Sequence, residues 1–169
     1  LKSFFKYQVR TGTLEKTPMS GIISPKSGKR LPVYVAEKDM NRLTSHVEFP
    51  DDWSGKTDHL LIFVFYQTGV RLTELVNLKN EQLDLDASMI KVLGKGNKER
   101  MIPISASLVN EIRLYIHEKN ESGRNTAETL LVNNQGKRLY SKYAYLAVKK
   151  YLSQVTTLSK KSPHVLRHS

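Results

Sequence analysis

Apolar residues recur every three or four positions along much of the chain, and this spacing predicts that most of it is helical. The strongest run covers residues 60–66, which are apolar at every position and predict a largely buried helix over 58–68, ended by Gly69. The stretch before it, with Pro50, Trp53 and Gly55, is predicted to be irregular, with Trp53 a core or rim aromatic. Further helices are predicted over 1–12, 37–47, 70–78, 106–120 and 140–152, and from Ser162 onward.

The apolar period changes between residues 82 and 104. Three short runs there predict antiparallel strands over 82–86, 88–93 and 98–104. The second and third strands are joined by Gly94-Lys95-Gly96-Asn97, a hairpin tip in which glycines permit positive φ, so Lys95 is expected on a flexible finger. These elements predict an α+β fold that is mainly helical, with a small three-stranded antiparallel sheet at one edge.

The charge changes this picture because it is concentrated at the two ends of the chain. Residues 1–36 hold seven basic residues and one acidic residue, and residues 137–169 hold eight basic residues and none acidic. The middle holds 12 basic and 15 acidic residues, within a total net charge of +11. Such a distribution favours a polyanion held from two sides, and nucleic acid is the usual one. An anionic membrane surface is the competing interpretation, but no amphipathic Lys/Trp-rich helix favours it.

The composition excludes several classes of protein. Cysteine is absent, which excludes a disulfide framework and any thiolate metal site and suits a reducing compartment. No apolar run is long enough to span a bilayer, and Lys2 and Lys6 interrupt any signal-peptide pattern. Leu1 is not a natural start, so the chain is expected to be a piece of a longer protein.

The N-terminal part predicts a domain boundary. Residues 1–19 have the pattern of the last helix of a preceding domain, and residues 20–36 form a basic linker interrupted by proline and glycine. The linker residues Lys26, Lys29 and Arg30 could follow a phosphate backbone, although a solvated tether has the same composition. Residues 37–169 are predicted to be a second domain.

Two stretches carry candidate anion chemistry. A helix that starts at Ser162-Pro163 places His164 and Arg167 one turn apart, an anion site with a proton-transfer group, unless both residues simply face water. Arg71 follows the turn after the most buried helix, where it either caps carbonyls or binds an anion, and Glu74 could hold it in place.

The helix over 140–152 interleaves lysines with tyrosines, including Lys142 and Tyr143. That pattern suits contact with a DNA backbone or groove, but it equally suits an amphipathic helix whose lysines face solvent.

Three stretches, in this order, resemble the catalytic domain of tyrosine recombinases, the phage-integrase and Xer-like site-specific recombinases. The stretches are Thr68-Gly69-Val70-Arg71-Leu72-Thr73-Glu74-Leu75, Gly94-Lys95-Gly96-Asn97-Lys98-Glu99-Arg100 and His164-Val165-Leu166-Arg167-His168-Ser169. The resemblance implies that residues 1–19 end a core-binding domain and that 37–169 belong to the catalytic domain.

The resemblance also implies residue roles. Arg71 and Arg167 would be the two catalytic arginines, Lys95 the hairpin lysine and His164 the histidine of the His-x-x-Arg pair. Glu74 and His168 are expected to support them. The candidate DNA-binding residues are Lys98, Arg100, Lys142, Tyr143, Lys26, Lys29 and Arg30.

The implied reaction is strand cleavage and rejoining of DNA through a 3′-phosphotyrosyl intermediate, without a metal or other cofactor. The family's nucleophilic tyrosine follows the Arg-His-Ser segment, so this chain is expected to stop before it and to be inactive in cleavage on its own. The expected partner is double-stranded DNA, bound by a tetramer of the full-length protein on paired sites. The expected location is the bacterial cytoplasm, at the nucleoid.

Two other functions fit the same residues. One is a non-catalytic DNA-binding regulator with a recombinase-like fold, and the other is a type IB topoisomerase-like enzyme that relaxes supercoils without exchanging strands. The residues do not choose among phage integration, chromosome-dimer resolution and transposon movement, and they do not reveal the target sequence.

Overall fold

The computed structural model describes residues 1–23, 36, 39, 42–43, 47–94, 96, 98–156, 162–163 and 165. The chain divides into two compact units, Leu1–Leu31 and Pro32–Ser169. The first unit contains helix α1, Lys2–Arg10, none of whose residues is buried. Gly12, in the left-handed region at φ 76°, follows the end of this helix.

The second unit is mainly helical with one small sheet, as the sequence predicted. Its described elements are α2 (Trp53–Thr68), α3 (Leu72–Val76), a 3-10 turn (Asn80–Gln82), β1 (Leu83–Asp84), β2 (Met89–Leu93), β3 (Glu99–Pro103), α4 (Ala106–Glu121) and α5 (Ser141–Val155). The three strands pair antiparallel in the order β1-β2-β3. None of the helices in the described part of the chain is long and apolar enough to cross a membrane.

Helix α2 begins five residues earlier than its apolar run predicted, so the prediction of an irregular stretch up to residue 57 was wrong. Asp52 caps the helix, and its Oδ1 accepts a hydrogen bond from the Gly55 amide at 2.7 Å. A Cβ at position 55 would lie 1.9 Å from the Pro50 carbonyl oxygen. Glycine is therefore required at position 55, because the first turn of the helix packs closely against Pro50, which precedes it.

The core of the second unit surrounds α2, which packs against α3, α4 and α5. Leu61 and Val64 of this helix are completely buried. Trp53, at its start, is a core residue whose Nε1 donates to the Val132 carbonyl at 3.1 Å and whose ring lies 4.7 Å from that of Tyr115. The helix thus joins the segment around residue 132 to α4.

The sheet register decides which side chains of the hairpin face inward. Ile90 is paired with Ile102, and Val92 is paired with Arg100. Ile90 and Val92 are buried, and alternation along β3 places Arg100 and Ile102 on the same face of the sheet. Arg100 is therefore directed toward the body of the unit.

Some predicted elements fall outside the described residues. The predicted helix over 37–47 lies mostly outside them, although Leu43 is described and buried. The linker lies outside them from 24 to 35. The predicted C-terminal helix is represented by Ser162, Pro163 and Val165 alone, of which Pro163 and Val165 are buried.

Candidate functional site

The junction between α2 and α3 determines where Arg71 lies. Gly69 ends α2 in the left-handed conformation, at φ 55°, and its amide donates to the Phe65 carbonyl. The next residue, Val70, is buried in the core, and Arg71 then caps α3 in an extended conformation. The turn therefore buries a valine and leaves the arginine side chain about half exposed, at 48%.

Glu74 accepts hydrogen bonds from both the backbone and the side chain of Arg71. The Arg71 amide donates to Glu74 Oε2 at 2.7 Å, and the Arg71 guanidinium donates from Nη1 to Oε1 at 2.8 Å. An acceptor three residues into a helix commonly satisfies the free amide at its cap. Here the same carboxylate also fixes the direction of the arginine side chain.

A second guanidinium binds the same carboxylate from the hairpin. Arg100 donates from Nη2 to Glu74 Oε2 at 2.7 Å and from Nη1 to Oε1 at 3.2 Å. Paired bonds of this kind are the strong, geometrically specific form of the arginine–carboxylate contact. The Glu74 side chain is only 7% exposed, so the three side chains form one partly desolvated cluster. We call Arg71, Glu74 and Arg100 the arginine–glutamate cluster.

The pKa of Glu74 reflects this arrangement. Burial alone raises the pKa, but the hydrogen bonds from Arg100 and from the amide and guanidinium of Arg71 outweigh it and lower the pKa to about 2. The hydrogen bond to Glu74 in turn raises the pKa of Arg100. The cluster consequently holds two positive charges and one negative charge, so it keeps a net positive charge at neutral pH.

The two residues that flank the loop of the β2–β3 hairpin, Gly94 and Lys98, lie next to the same cluster. The Gly94 amide donates to the Lys98 carbonyl at 2.8 Å and closes the hairpin. A Cβ placed at Gly94 would lie 3.2 Å from Arg100 Nη1 and 3.9 Å from Arg71 Nη1. Lys95 itself is outside the described residues, but the residue that precedes it in the chain borders both guanidiniums.

Several predicted site residues cannot be placed, because they lie outside the described residues. They are Lys95, His164, Arg167 and His168 among the active-site candidates and Lys26, Lys29 and Arg30 among the linker candidates. Of the four predicted catalytic residues, Arg71 is therefore the one that the structure describes. The gathering of all four around one phosphate stays a prediction.

The predicted DNA-binding residues in the described part of the chain have different surroundings. Lys98 and Lys142 are exposed, whereas the Arg100 guanidinium forms a salt bridge with Glu74. Tyr143 is partly buried, and its hydroxyl donates to Asp58 at 2.8 Å, which removes it from the exposed face of α5. Tyr145, two residues later, is 41% exposed and shares that face with Lys142.

The contact of Tyr143 belongs to a second polar cluster. Asp58 of α2 accepts hydrogen bonds from Tyr143 and, at 3.1 Å, from Tyr151 of α5. Burial raises the pKa of Asp58, with the two hydroxyls partly opposing it. Burial and the neighbouring carboxylate also raise the pKa of both tyrosines. We call these three residues the aspartate–tyrosine cluster.

Sequence reasoning missed two contacts of α3. The contact of Arg100 with Glu74 could have been found from the alternation of β3, which places Arg100 on the same face as Ile102. The other contact joins the Arg138 guanidinium to the Asn77 side chain at the end of α3. No spacing in the sequence indicates it, because 61 residues separate the partners.

This architecture is the tyrosine recombinase fold. The structure of XerA recombinase superposes with a TM-score of 0.70 at 26% identity, covering 96% of this chain and 56% of that one. The pre-cleavage complex of XerH site-specific recombinase with its difH substrate superposes with a TM-score of 0.75 at 23% identity, covering 99% of this chain and 49% of that one, and shows the fold alone.

The chain belongs to the phage integrase family, which matches residues 34–169. Tyrosine recombinase XerC of Chlorobaculum parvum is 30% identical over 190 aligned positions, which cover 100% of this chain and 56% of that protein. The chain thus spans little more than half the length of the curated relatives it matches.

Proposed function

We propose that the protein from which this chain comes is a site-specific DNA recombinase or integrase that cleaves and rejoins strands through a 3′-phosphotyrosyl intermediate. The observation that carries the proposal is the placement of Arg71, half exposed at the start of α3 and held by Glu74, in a chain of the phage integrase family. In the family pattern the nucleophilic tyrosine follows the Arg-His-Ser segment, so the proposal is made for the complete parent protein.

The chemistry of a guanidinium suits the proposed role of Arg71. Negative charge builds on the non-bridging oxygens when a hydroxyl attacks a phosphodiester, and a guanidinium offers permanent charge with paired donors that match those oxygens. Its contact with Glu74 engages Nη1, and no other described residue is hydrogen-bonded to this guanidinium. Among the described residues, therefore, none engages its other donors, and in this proposal those donors bind the phosphate.

The other catalytic roles follow from the family pattern. Arg167 supplies the second guanidinium, His164 donates to the phosphate or exchanges a proton with the nucleophile, and Lys95 protonates the departing 5′-oxygen. His168 supports this group. The arginines provide the positive charge, so the reaction needs no metal, and the phosphotyrosyl bond retains the energy of the broken linkage, so it needs no ATP.

The proposed partner is double-stranded DNA. In the second unit, Lys98 borders the hairpin, and Lys142 with Tyr145 lies on the exposed face of α5, so both places offer contacts to a DNA backbone. Residues 1–19 would end a core-binding domain, and Lys26, Lys29 and Arg30 would follow the backbone between the two domains. The full-length protein would act as a tetramer on paired sites, at the nucleoid of the bacterial cytoplasm.

Covalent attachment to DNA tests the proposal. The DNA site of the complete parent protein is first identified by selecting bound duplexes from a random pool. The protein is then incubated with a nicked duplex of that site, and the protein–DNA adducts that resist denaturation are counted. Arg71→Ala should lower adduct formation by about a hundredfold or more, because a donor aimed at transition-state charge is lost. DNA affinity should stay within about threefold, since many other cations bind the backbone.

The matched control is Arg113→Ala, which removes an exposed arginine of α4 that pairs with Asp86, and it should form adducts at the parental rate. Adduct formation by Arg71→Ala at the parental rate would contradict the catalytic role of Arg71. No adduct from the parent itself would favour a DNA-binding regulator, and relaxation of supercoils without strand exchange would favour a topoisomerase-like enzyme.

A further inference from the structure

The Glu74 carboxylate has its acceptor positions filled by two arginines. Its Oε2 accepts from the Arg71 amide and from Arg100 Nη2, each at 2.7 Å, and its Oε1 accepts from Arg71 Nη1 at 2.8 Å and from Arg100 Nη1 at 3.2 Å. A carboxylate offers about four such positions. Because the Glu74 side chain is only 7% exposed, these bonds take the place of water around the charge.

The two guanidiniums bind this carboxylate unequally. Arg100 uses two nitrogens, one for each oxygen, whereas the Arg71 side chain uses Nη1 alone. A paired contact fixes the plane of the carboxylate as well as its distance, and a single bond does not. Arg100 therefore determines how Glu74 is oriented, and Arg71 is attached to the result.

The position of Arg100 is set by the sheet and not by α3. Its backbone pairs with that of Val92, which is buried, and 26 residues separate it from Glu74. Its Nη1 lies 3.2 Å from the place that a Cβ at Gly94 would take, so the guanidinium also packs against the backbone of the hairpin. The sheet thus presents Arg100 to Glu74 independently of the helix that carries Glu74.

Loss of Arg100 would change the contact that remains. Glu74 would lose two of its four hydrogen bonds, and the guanidinium of Arg71 would be the charged donor still bound to it. The favoured geometry of an arginine with a carboxylate is the paired one, which takes two guanidinium nitrogens. That pair would carry no net charge, and the carboxylate would compete with a phosphate for the donors of Arg71.

We propose that Arg100 is a positioning residue that engages both oxygens of Glu74 and so prevents this carboxylate from pairing with two nitrogens of Arg71, whose remaining donors then face the scissile phosphate. This inference rests on the proposed function of the site. Arg100 does not touch the reacting atoms in this assignment, because its own donors face Glu74. Its effect on the reaction passes through the direction and the charge of Arg71.

The test measures single-turnover adduct formation by the complete parent protein on a nicked duplex of its site. Arg100→Gln removes the charged, paired donors and should slow the reaction by about tenfold, because Glu74 then draws the Arg71 donors away from the phosphate. DNA affinity should stay within about threefold, since many other cations bind the backbone. Arg100→Lys keeps the charge without the paired bonds and should lie between the parent and Arg100→Gln.

Two double variants identify the route of the effect. Arg71→Ala/Arg100→Gln should stay within about twofold of Arg71→Ala, because Arg100 has nothing left to position once Arg71 is absent. Glu74→Gln/Arg100→Gln should form adducts about threefold or more faster than Arg100→Gln, because a neutral amide does not pair with two nitrogens of Arg71. A change that only loosened the fold would produce neither result.

The controls separate this effect from a loss of structure. Glu99→Gln breaks the exposed pair of Glu99 with Lys91 on the same hairpin and should react within about twofold of the parental rate. Circular dichroism measures the folded fraction of every variant at the assay temperature. If Arg100→Gln lowers that fraction, Arg100→Lys takes its place in both double variants.

Three results would overturn the inference. A parental rate in Arg100→Gln would show that the contact positions nothing. Losses that multiply in Arg71→Ala/Arg100→Gln would show that Arg100 acts apart from Arg71. A Glu74→Gln change that leaves or deepens the loss in Arg100→Gln would show that Glu74 does not compete for Arg71. Absence of adducts from the parent would instead overturn the proposed function, and this inference with it.

Discussion

Two carboxylates of the second unit are each held by two side chains, yet their surroundings are opposite. Glu74 binds two guanidiniums in the first turn of α3, and these lower its pKa to about 2. Asp58 binds two tyrosine hydroxyls between α2 and α5, and burial raises its pKa. Charged partners keep the first carboxylate ionised, whereas the second gains only neutral partners for the water it loses.

This difference in charge indicates that the first cluster suits anion binding, whereas the second stabilises the fold. The arginine–glutamate cluster keeps a net positive charge beside solvent, as an anion site requires. The aspartate–tyrosine cluster has two neutral donors and joins helices that are distant in sequence, with 85 residues between Asp58 and Tyr143. We therefore expect changes in the first cluster to affect DNA cleavage as well as stability, and changes in the second to affect stability alone.

Asp58→Ala should lower the free energy of unfolding by about 3 kcal/mol, because it leaves two largely buried hydroxyls without their acceptor and opens a small cavity. Equilibrium urea unfolding of the 169-residue protein measures this loss. Asp86→Asn is the control, since Asp86 is exposed in its pair with Arg113 and its change should cost less than about 0.5 kcal/mol. Equal losses in the two variants would contradict the structural role of the aspartate–tyrosine cluster.

Glu74→Gln should lower the free energy of unfolding by about 1–2 kcal/mol near pH 7, a figure reduced because both arginines are partly exposed. The folded pKa of Glu74 is below its ordinary value of 4.5, so this stabilisation is complete above pH 4.5 and is lost as the pH falls toward about 2. The difference between parent and variant should therefore shrink by more than half between pH 6 and pH 3.

The control for that pH dependence is Glu81→Gln, which removes an exposed carboxylate paired with Lys79. It should cost less than about 0.5 kcal/mol, with little change over the same pH range. A constant difference between the parent and Glu74→Gln from pH 6 to pH 3 would mean that the guanidiniums do not hold the carboxylate ionised.

Asp58→Asn should show a pH dependence of the opposite sign and smaller size. The folded pKa of Asp58 is above its ordinary value of 3.8, so ionisation opposes folding increasingly as the pH rises through the folded pKa. The neutral asparagine escapes that cost. Relative to the parent, the stability of this variant should therefore improve between pH 4 and pH 7. A relative decline over this range would reverse our assignment of the pKa shift.

The sequence predicted the elements of the second unit better than the contacts between them. The apolar periods located β2, β3, α4 and α5 to within a few residues, because each pattern is local. The start of α2 was missed, because Pro50 and Gly55 are typical of loops while Gly55 in fact permits the helix to approach the Pro50 carbonyl. Local signals of this kind do not reveal close packing.

Partners distant in sequence account for most of what could not be predicted. Glu74 lies three residues from Arg71, so their contact could be anticipated from helical spacing. Tyr143 was expected to face DNA because lysines surround it in sequence, and only the packing of α5 on α2 directs it to Asp58. Lys119 is completely buried, and its Nζ donates to the carbonyls of Thr129 and Leu130, although lysine is ordinarily a surface residue.

The position of Trp53 makes tryptophan fluorescence a measure of whether the core is folded. It is the one tryptophan of the chain, and it lies at the first residue of α2, while Arg71 follows the other end of that 16-residue helix, about 24 Å away along its axis. Its indole ring packs against the Tyr115 ring and donates to the Val132 carbonyl, so its emission should change when these contacts are lost on unfolding. Fluorescence should therefore report unfolding of the core and respond little to a substitution of Arg71, so it distinguishes a folded inactive variant from an unfolded one.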